Sequence, residues 1–160
     1  MSPLRRLVEL LAVLGVLAYG GAALVTVADV VGRRFGIPVE GVVDLVQLCV
    51  VTGAWLVMPY AFLAATHVSV DFLVERLPPA LVVALRIFAA AVAFVLMALI
   101  AKTGWDTFTV RTMFGDRSQQ LGIPIAWYWY PLLAGSVLSL IGIALQLGQS
   151  LRREGVAADG

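Results

Sequence analysis

Apolar residues in this chain come in four long unbroken runs separated by short segments of polar and turn-forming residues. The first run covers residues 10–28, between Glu9 and Asp29, and the second covers residues 45–66. The third extends from about residue 81 to 101 with Arg86 as its only charge, and the fourth lies within the uncharged stretch 118–151, centred on 125–147. Each approaches the roughly 20 residues that carry a helix across about 30 Å of hydrocarbon. Barrel strands would need alternation over about 10 residues, and these runs do not alternate. Where no water can satisfy the backbone, helix is the remaining choice. The pattern therefore predicts an all-α integral membrane fold with four transmembrane helices. It forms a single membrane domain over residues 1–160, with spans at about 8–31, 42–65, 80–102 and 124–148.

The segments between runs supply the punctuation. Gly36, Pro38 and Gly41 mark a turn between spans one and two, and Gly122 and Pro124 precede span four. Pro78 and Pro79 interrupt any helix arriving from span two, and Pro59 is expected to kink that span. Between spans two and three, residues 68–77 are apolar with charges at Asp71, Glu75 and Arg76, which fits a short helix lying in the membrane surface. Ala101, Trp105, Phe108 and Thr112 share a helical face, so span three is expected to continue as helix beyond the bilayer. The tail, residues 152–160, is expected to fray. Arg5 and Arg6 precede the first run as in a signal peptide, but residues 10–28 exceed its usual core of about 7–15, which favours an uncleaved span.

Composition agrees with a lipid environment: 61% hydrophobic residues, 13% charged and a mean hydropathy of +0.98. A soluble domain of this size could not cover so much apolar surface. The net charge of +1 shows no basic stripe and excludes nucleic acid as a partner. A single cysteine, Cys49, excludes an internal disulfide, and a single histidine, His67, excludes a two-histidine haem site within one chain. Orientation is weakly encoded. Arg5, Arg6, Arg76, Arg86, Arg152 and Arg153 on one side nearly balance Arg33, Arg34, Lys102, Arg111 and Arg117 on the other. An even number of spans puts both termini on one side.

Candidate chemistry is sparse. His67 and Asp71 are one helical turn apart but lack the further ligands a metal needs, so no metal and no cofactor are expected. Asp29 and Arg33 have favourable i, i+4 spacing, and Glu40 and Asp44 sit where a helix N-terminus favours acids. With Arg34 these residues read as an interfacial charge cluster seating two helix ends, with direct substrate contact as the alternative. Arg111 and Arg117 charge the longest connection, and Trp127 opens span four within an aromatic group suited to the membrane boundary. No ionisable group stands at the middle of a span, where a proton- or ion-driven carrier usually needs one. Small residues recur at four-residue spacing in Ala18/Ala22, Ala89/Ala93 and Gly135/Ser139, which lets helices approach closely. An enzyme is not expected.

Three stretches carry a family likeness: residues 29–38 followed by Glu40 to Asp44; Pro59-Tyr60 followed by His67-Val-Ser-Val-Asp71 and the break at Leu77-Pro78; and Ser118 to Pro124 with Trp127, Tyr130 and Gly135. The chain resembles the small membrane subunit (DctQ-type) of tripartite ATP-independent periplasmic (TRAP) transporters over nearly its whole length. The resemblance implies a scaffold that packs against the large membrane subunit in sodium-driven uptake, by symport, of an organic acid. It implies transient contact with a periplasmic substrate-binding protein, surrounding membrane lipid, and a bacterial inner membrane with both termini cytoplasmic. The alternative is a self-sufficient small four-helix transporter acting as a homodimer. A membrane-bound oxidoreductase is a third class, for which the chain offers almost no ligands.

Overall fold

The computed structural model describes residues 3–64 and 78–158, with side chains for 4–64, 78 and 81–148. Among the described residues there are four helices: α1 (Pro3–Arg34), α2 (Val42–Leu63), α3 (Pro79–Met113) and α4 (Ala126–Ala158). All four are long and apolar enough to cross a membrane. At 1.5 Å per residue, the 22 residues of α2 rise about 33 Å and the 35 residues of α3 about 52 Å. Helix α3 therefore outruns a hydrocarbon core of about 30 Å, as the face shared by Ala101, Trp105, Phe108 and Thr112 led one to expect. Pro79 opens α3 instead of ending the preceding break, because the first helical residue needs no N–H donor. The C-terminal tail, expected to fray, is helical through Ala158. The expected interfacial helix, with His67 and Asp71, lies outside the described residues.

Among the described residues the helices form no closed bundle of extended contacts. Extended contacts join α1 to α2, α2 to α4, and α4 to α3. The order across the molecule is thus α1–α2–α4–α3, a single layer with α2 and α4 in the middle. Only 6% of the most apolar stretch of α3 is buried within the chain, against 28% for α4.

Seven-residue periods govern the contacts. On α1 the buried positions are Val8, Gly15, Ala22 and Asp29, and half-buried Leu4, Leu11, Ala18, Val25 and Gly32 alternate with them. This is an a/d seam, the pattern that wraps one helix around another with a left-handed twist. Helix α4 carries two such seams side by side. Tyr128, Gly135 and Gly142 face α2, whereas Trp129 lies near Gly104 of α3 and Ile143 clusters with Met97 of α3 as well as Phe62 of α2. Phe62, Met97 and Ile143, one from each of α2, α3 and α4, form the buried apolar cluster.

Close approaches fix the layer. A Cβ on Gly15 would lie 2.9 Å from the Gly53 carbonyl oxygen, and one on Gly53 would lie 3.0 Å from that of Gly15, so α1 and α2 cross nearly backbone to backbone. At the α2–α4 crossing a Cβ on Gly135 would fall on the Trp55 carbonyl. Pro59, inside α2, has no N–H to give that carbonyl. The bare Cα of Gly135 approaches it instead, in the geometry of a weak C–H···O contact. Ser139 bonds the Gly135 carbonyl at 2.7 Å and is fully buried. Of the expected small-residue pairs, Gly135/Ser139 lies wholly in a seam, Ala22 and Ala93 are packed, and Ala89 is exposed.

Candidate functional site

One end of the layer holds most of the polar chemistry. It gathers the C-termini of α1 and α3 and the N-termini of α2 and α4, and is called the cap here. Helix α1 stops in a Schellman turn: Ile37 N–H donates to the Gly32 carbonyl (2.9 Å) and Gly36 N–H to that of Arg33 (3.3 Å). Gly36 holds φ 76°, a region where a side chain is strained. The Asp29 carboxylate accepts from Arg33 Nε at 2.8 Å and from the Val39 N–H at 3.1 Å. One acid thus ties the last turn of α1 to the chain returning towards α2. Arg33 and Arg34 remain largely exposed, as does Glu40.

Helix α3 ends in the same device, with Asp116 N–H donating to the Arg111 carbonyl and Gly115 N–H to that of Thr112, both at 3.1 Å. Beyond it a tight loop is closed by Ser118 N–H to the Ile123 carbonyl (2.8 Å) and Ile125 N–H to the Asp116 carbonyl (3.0 Å). Arg111 pairs loosely with Asp116 at 3.5 Å, and Arg117 Nη1 donates to the Gly122 carbonyl at 3.1 Å. Both arginines are exposed.

The two loops meet at Asp44. This residue is 4% exposed, and its carboxylate accepts from the backbone N–H groups of Gln120 (2.9 Å) and Leu121 (2.7 Å). The Ser118 hydroxyl lies beside this carboxylate and accepts from the Ile123 N–H at 2.9 Å. Tyr128 donates its hydroxyl to the Asp44 main-chain carbonyl at 3.0 Å. Leu121 covers Gly41, occupying the space a Cβ would need. Asp44 sits in the first turn of α2, yet its side chain accepts from a different part of the chain instead of capping its own helix. The segment from Arg111 to Gln120, the charged part of the longest connection, is thus held partly by the chain itself.

The cap brings together Asp29 with Arg33 and Arg111 with Asp116, and it buries Asp44. Trp127 lies on the outer surface, 59% exposed and edge-on to Tyr130. Sequence reasoning missed Ser118, Gln120, Leu121 and Tyr128. Tyr128 belongs to an aromatic run that reads as uniformly interfacial, and backbone donors such as those of Gln120 and Leu121 leave no mark in a sequence. Chemically, the arrangement neutralises and rigidifies: the Asp29, Asp44 and Asp116 carboxylates accept from N–H donors of the same chain. Around it the rim is bare, with Phe35, Ile37, Met113 and Phe114 between 74% and 82% exposed.

Four apolar helices in an open layer, capped at one end by a self-satisfied polar network, define a multi-pass helical membrane protein. Its sequence matches the family model of the DctQ component of tripartite ATP-independent periplasmic transporters over residues 22–153. The chain belongs to this family, and is a small membrane component of a TRAP transporter. No curated protein matches it.

Proposed function

We propose that this chain is a rigid membrane scaffold for the large carrier subunit of a TRAP system, in sodium-driven, binding-protein-dependent uptake of an organic acid. The observation that carries the reading is the open α1–α2–α4–α3 layer. Its close glycine crossings and latched cap make it stiff, while long apolar faces of α1 and α3 are left uncovered. Such faces suit lipid on one side and a larger helical protein on the other. Residues 1–160 act as one membrane unit in the inner membrane of a bacterium, with both termini cytoplasmic and the cap periplasmic. Asp29, Arg33 and Asp44 then serve the scaffold itself. Arg34, Glu40, Arg111, Arg117 and Trp127 form the rim a periplasmic binding protein touches transiently, and His67 and Asp71 contact the large subunit from the cytoplasmic side.

Affinity purification of the chain in mild detergent from its native host is expected to recover a much larger membrane protein. Proteoliposomes holding both proteins should take up an organic acid only with a sodium gradient and the binding protein, and those holding this chain alone should show no flux. Solute flux by the chain alone, or its purification as a homodimer without a larger companion, would overturn the proposal.

A further inference from the structure

An apolar groove of 470 Å³ runs along the outer seam of α3 and α4, lined by Ala101, Trp105, Leu133, Ala134, Val137 and Leu138. Its size falls within the roughly 300–1,000 Å³ of small-molecule sites. The lining combines the small side chains Ala101 and Ala134 with the Trp105 ring and the aliphatic Leu133, Val137 and Leu138. At the cap end it stops under four rings in series: Trp105 to Phe108 at 5.8 Å between centroids, Phe108 to Tyr130 at 5.7 Å, and Tyr130 to Trp127 at 6.3 Å. Trp105, Trp127 and Tyr130 are all more than half exposed. Indole and phenol rings with a free polar edge favour the depth of lipid headgroups, so the groove descends from that depth towards the bilayer interior. Lys102, exposed and three residues before Trp105 on the same helix, lies about 4.5 Å deeper than that ring along the helix axis, and its long flexible stem can carry the ammonium up to the rim. Asp106, one turn further towards the cap, is also exposed.

An apolar trough below a rim of N–H and O–H donors, flanked by a cation, has the chemistry of a lipid: hydrocarbon below, phosphate at the rim. A protein helix laid in the groove would instead bring apolar side chains against Lys102 and Asp106. We propose that the groove holds one acyl chain of a glycerophospholipid whose phosphate is met by Lys102 at the aromatic rim. The site rests on the membrane-spanning character of the chain and is independent of the proposed scaffold role.

The test uses the full chain in mild detergent and native mass spectrometry, titrated with dioleoyl-phosphatidylethanolamine or dioleoylglycerol. The expected result is one retained phosphatidylethanolamine and weaker retention of dioleoylglycerol. Ala134→Trp should weaken phospholipid retention by about tenfold, the effect of displacing two or so buried methylenes, whereas Val95→Trp, on an exposed face of α3 outside the groove, should leave it unchanged. Lys102→Gln should weaken phosphatidylethanolamine by about fivefold and leave dioleoylglycerol unaffected. Equal retention of the two lipids, or indifference to Ala134→Trp, would overturn the proposal. So would loss of a larger membrane companion in Ala134→Trp with lipid retention intact, which would make the groove a protein seat.

Discussion

Replacing Gly135 by alanine adds a single methyl group at the point where α2 and α4 pass most closely. That methyl would land on the Trp55 carbonyl, and would lie 2.8 Å from the carbonyl carbon and 3.0 Å from Trp55 Cβ. Backbone atoms cannot rotate away as a flexible side chain can, so the two helices must separate. Forcing extra volume into a packed contact costs about 1–3 kcal/mol, and losing the C–H···O contact adds about 0.5–1 kcal/mol. Against this, alanine is the better helix former by about 1 kcal/mol. A net loss of about 0.5–3 kcal/mol follows from these terms. Gly148, on the same helix, has nothing within 4 Å of the corresponding position. Gly148→Ala gains the propensity without the clash and should be neutral or stabilising by up to about 1 kcal/mol. Thermal unfolding in mild detergent, followed by tryptophan fluorescence, separates the two. For a chain of this size each kcal/mol shifts the midpoint by about 2–4 °C. A Gly135→Ala protein that melts with or above Gly148→Ala would refute the close crossing.

At the cap, Asp44→Ala leaves the Gln120 and Leu121 N–H groups without their acceptor, and their hydrogen exchange should rise by about tenfold or more while the middle of α4 keeps its protection; unchanged exchange would show that the loop does not depend on this carboxylate. Tyr128→Phe removes one hydroxyl donor and should cost about 0.5–1.5 kcal/mol, read as a lower melting midpoint with no change in helix content by circular dichroism. Gly36→Val puts a β-branched side chain at φ 76° and should cost about 1–3 kcal/mol, whereas Gly36→Asn should lose less, since asparagine tolerates that region. Arg33→Gln should move the midpoint by no more than about 2 °C, with the difference vanishing in high salt, because that side chain is 62% exposed and such pairs are weak.

Some of the site was legible in advance. The Asp29–Arg33 pair is local, set by one turn of one helix, and helical spacing alone places those groups together. The turn at Gly36 and the break before α4 follow from residues that suit few other conformations. Asp44 was recognised as an acid at a helix start, but its partners were not: Gln120 and Leu121 are more than seventy residues away and offer main-chain N–H groups, which every residue except proline possesses. Tyr128 could not be told from Trp127 and Tyr130, because neighbouring aromatic residues look alike until a helix is rotated against its partner.

The same limit separates what each level determined. Sequence by itself settled that the chain is helical and membrane-spanning and that it carries four spans, because length and hydropathy decide whether a segment is stable in hydrocarbon. It could not say which face of each span meets protein. A helix apolar all round has no preferred side in lipid, so the seam of Val8, Gly15, Ala22 and Asp29 is hidden among equally apolar neighbours. The order α1–α2–α4–α3, the crossing at Gly135 and the latch at Asp44 were decided only in three dimensions. There, close packing and hydrogen bonds between distant segments, and not aversion to water, select one arrangement of the same four helices.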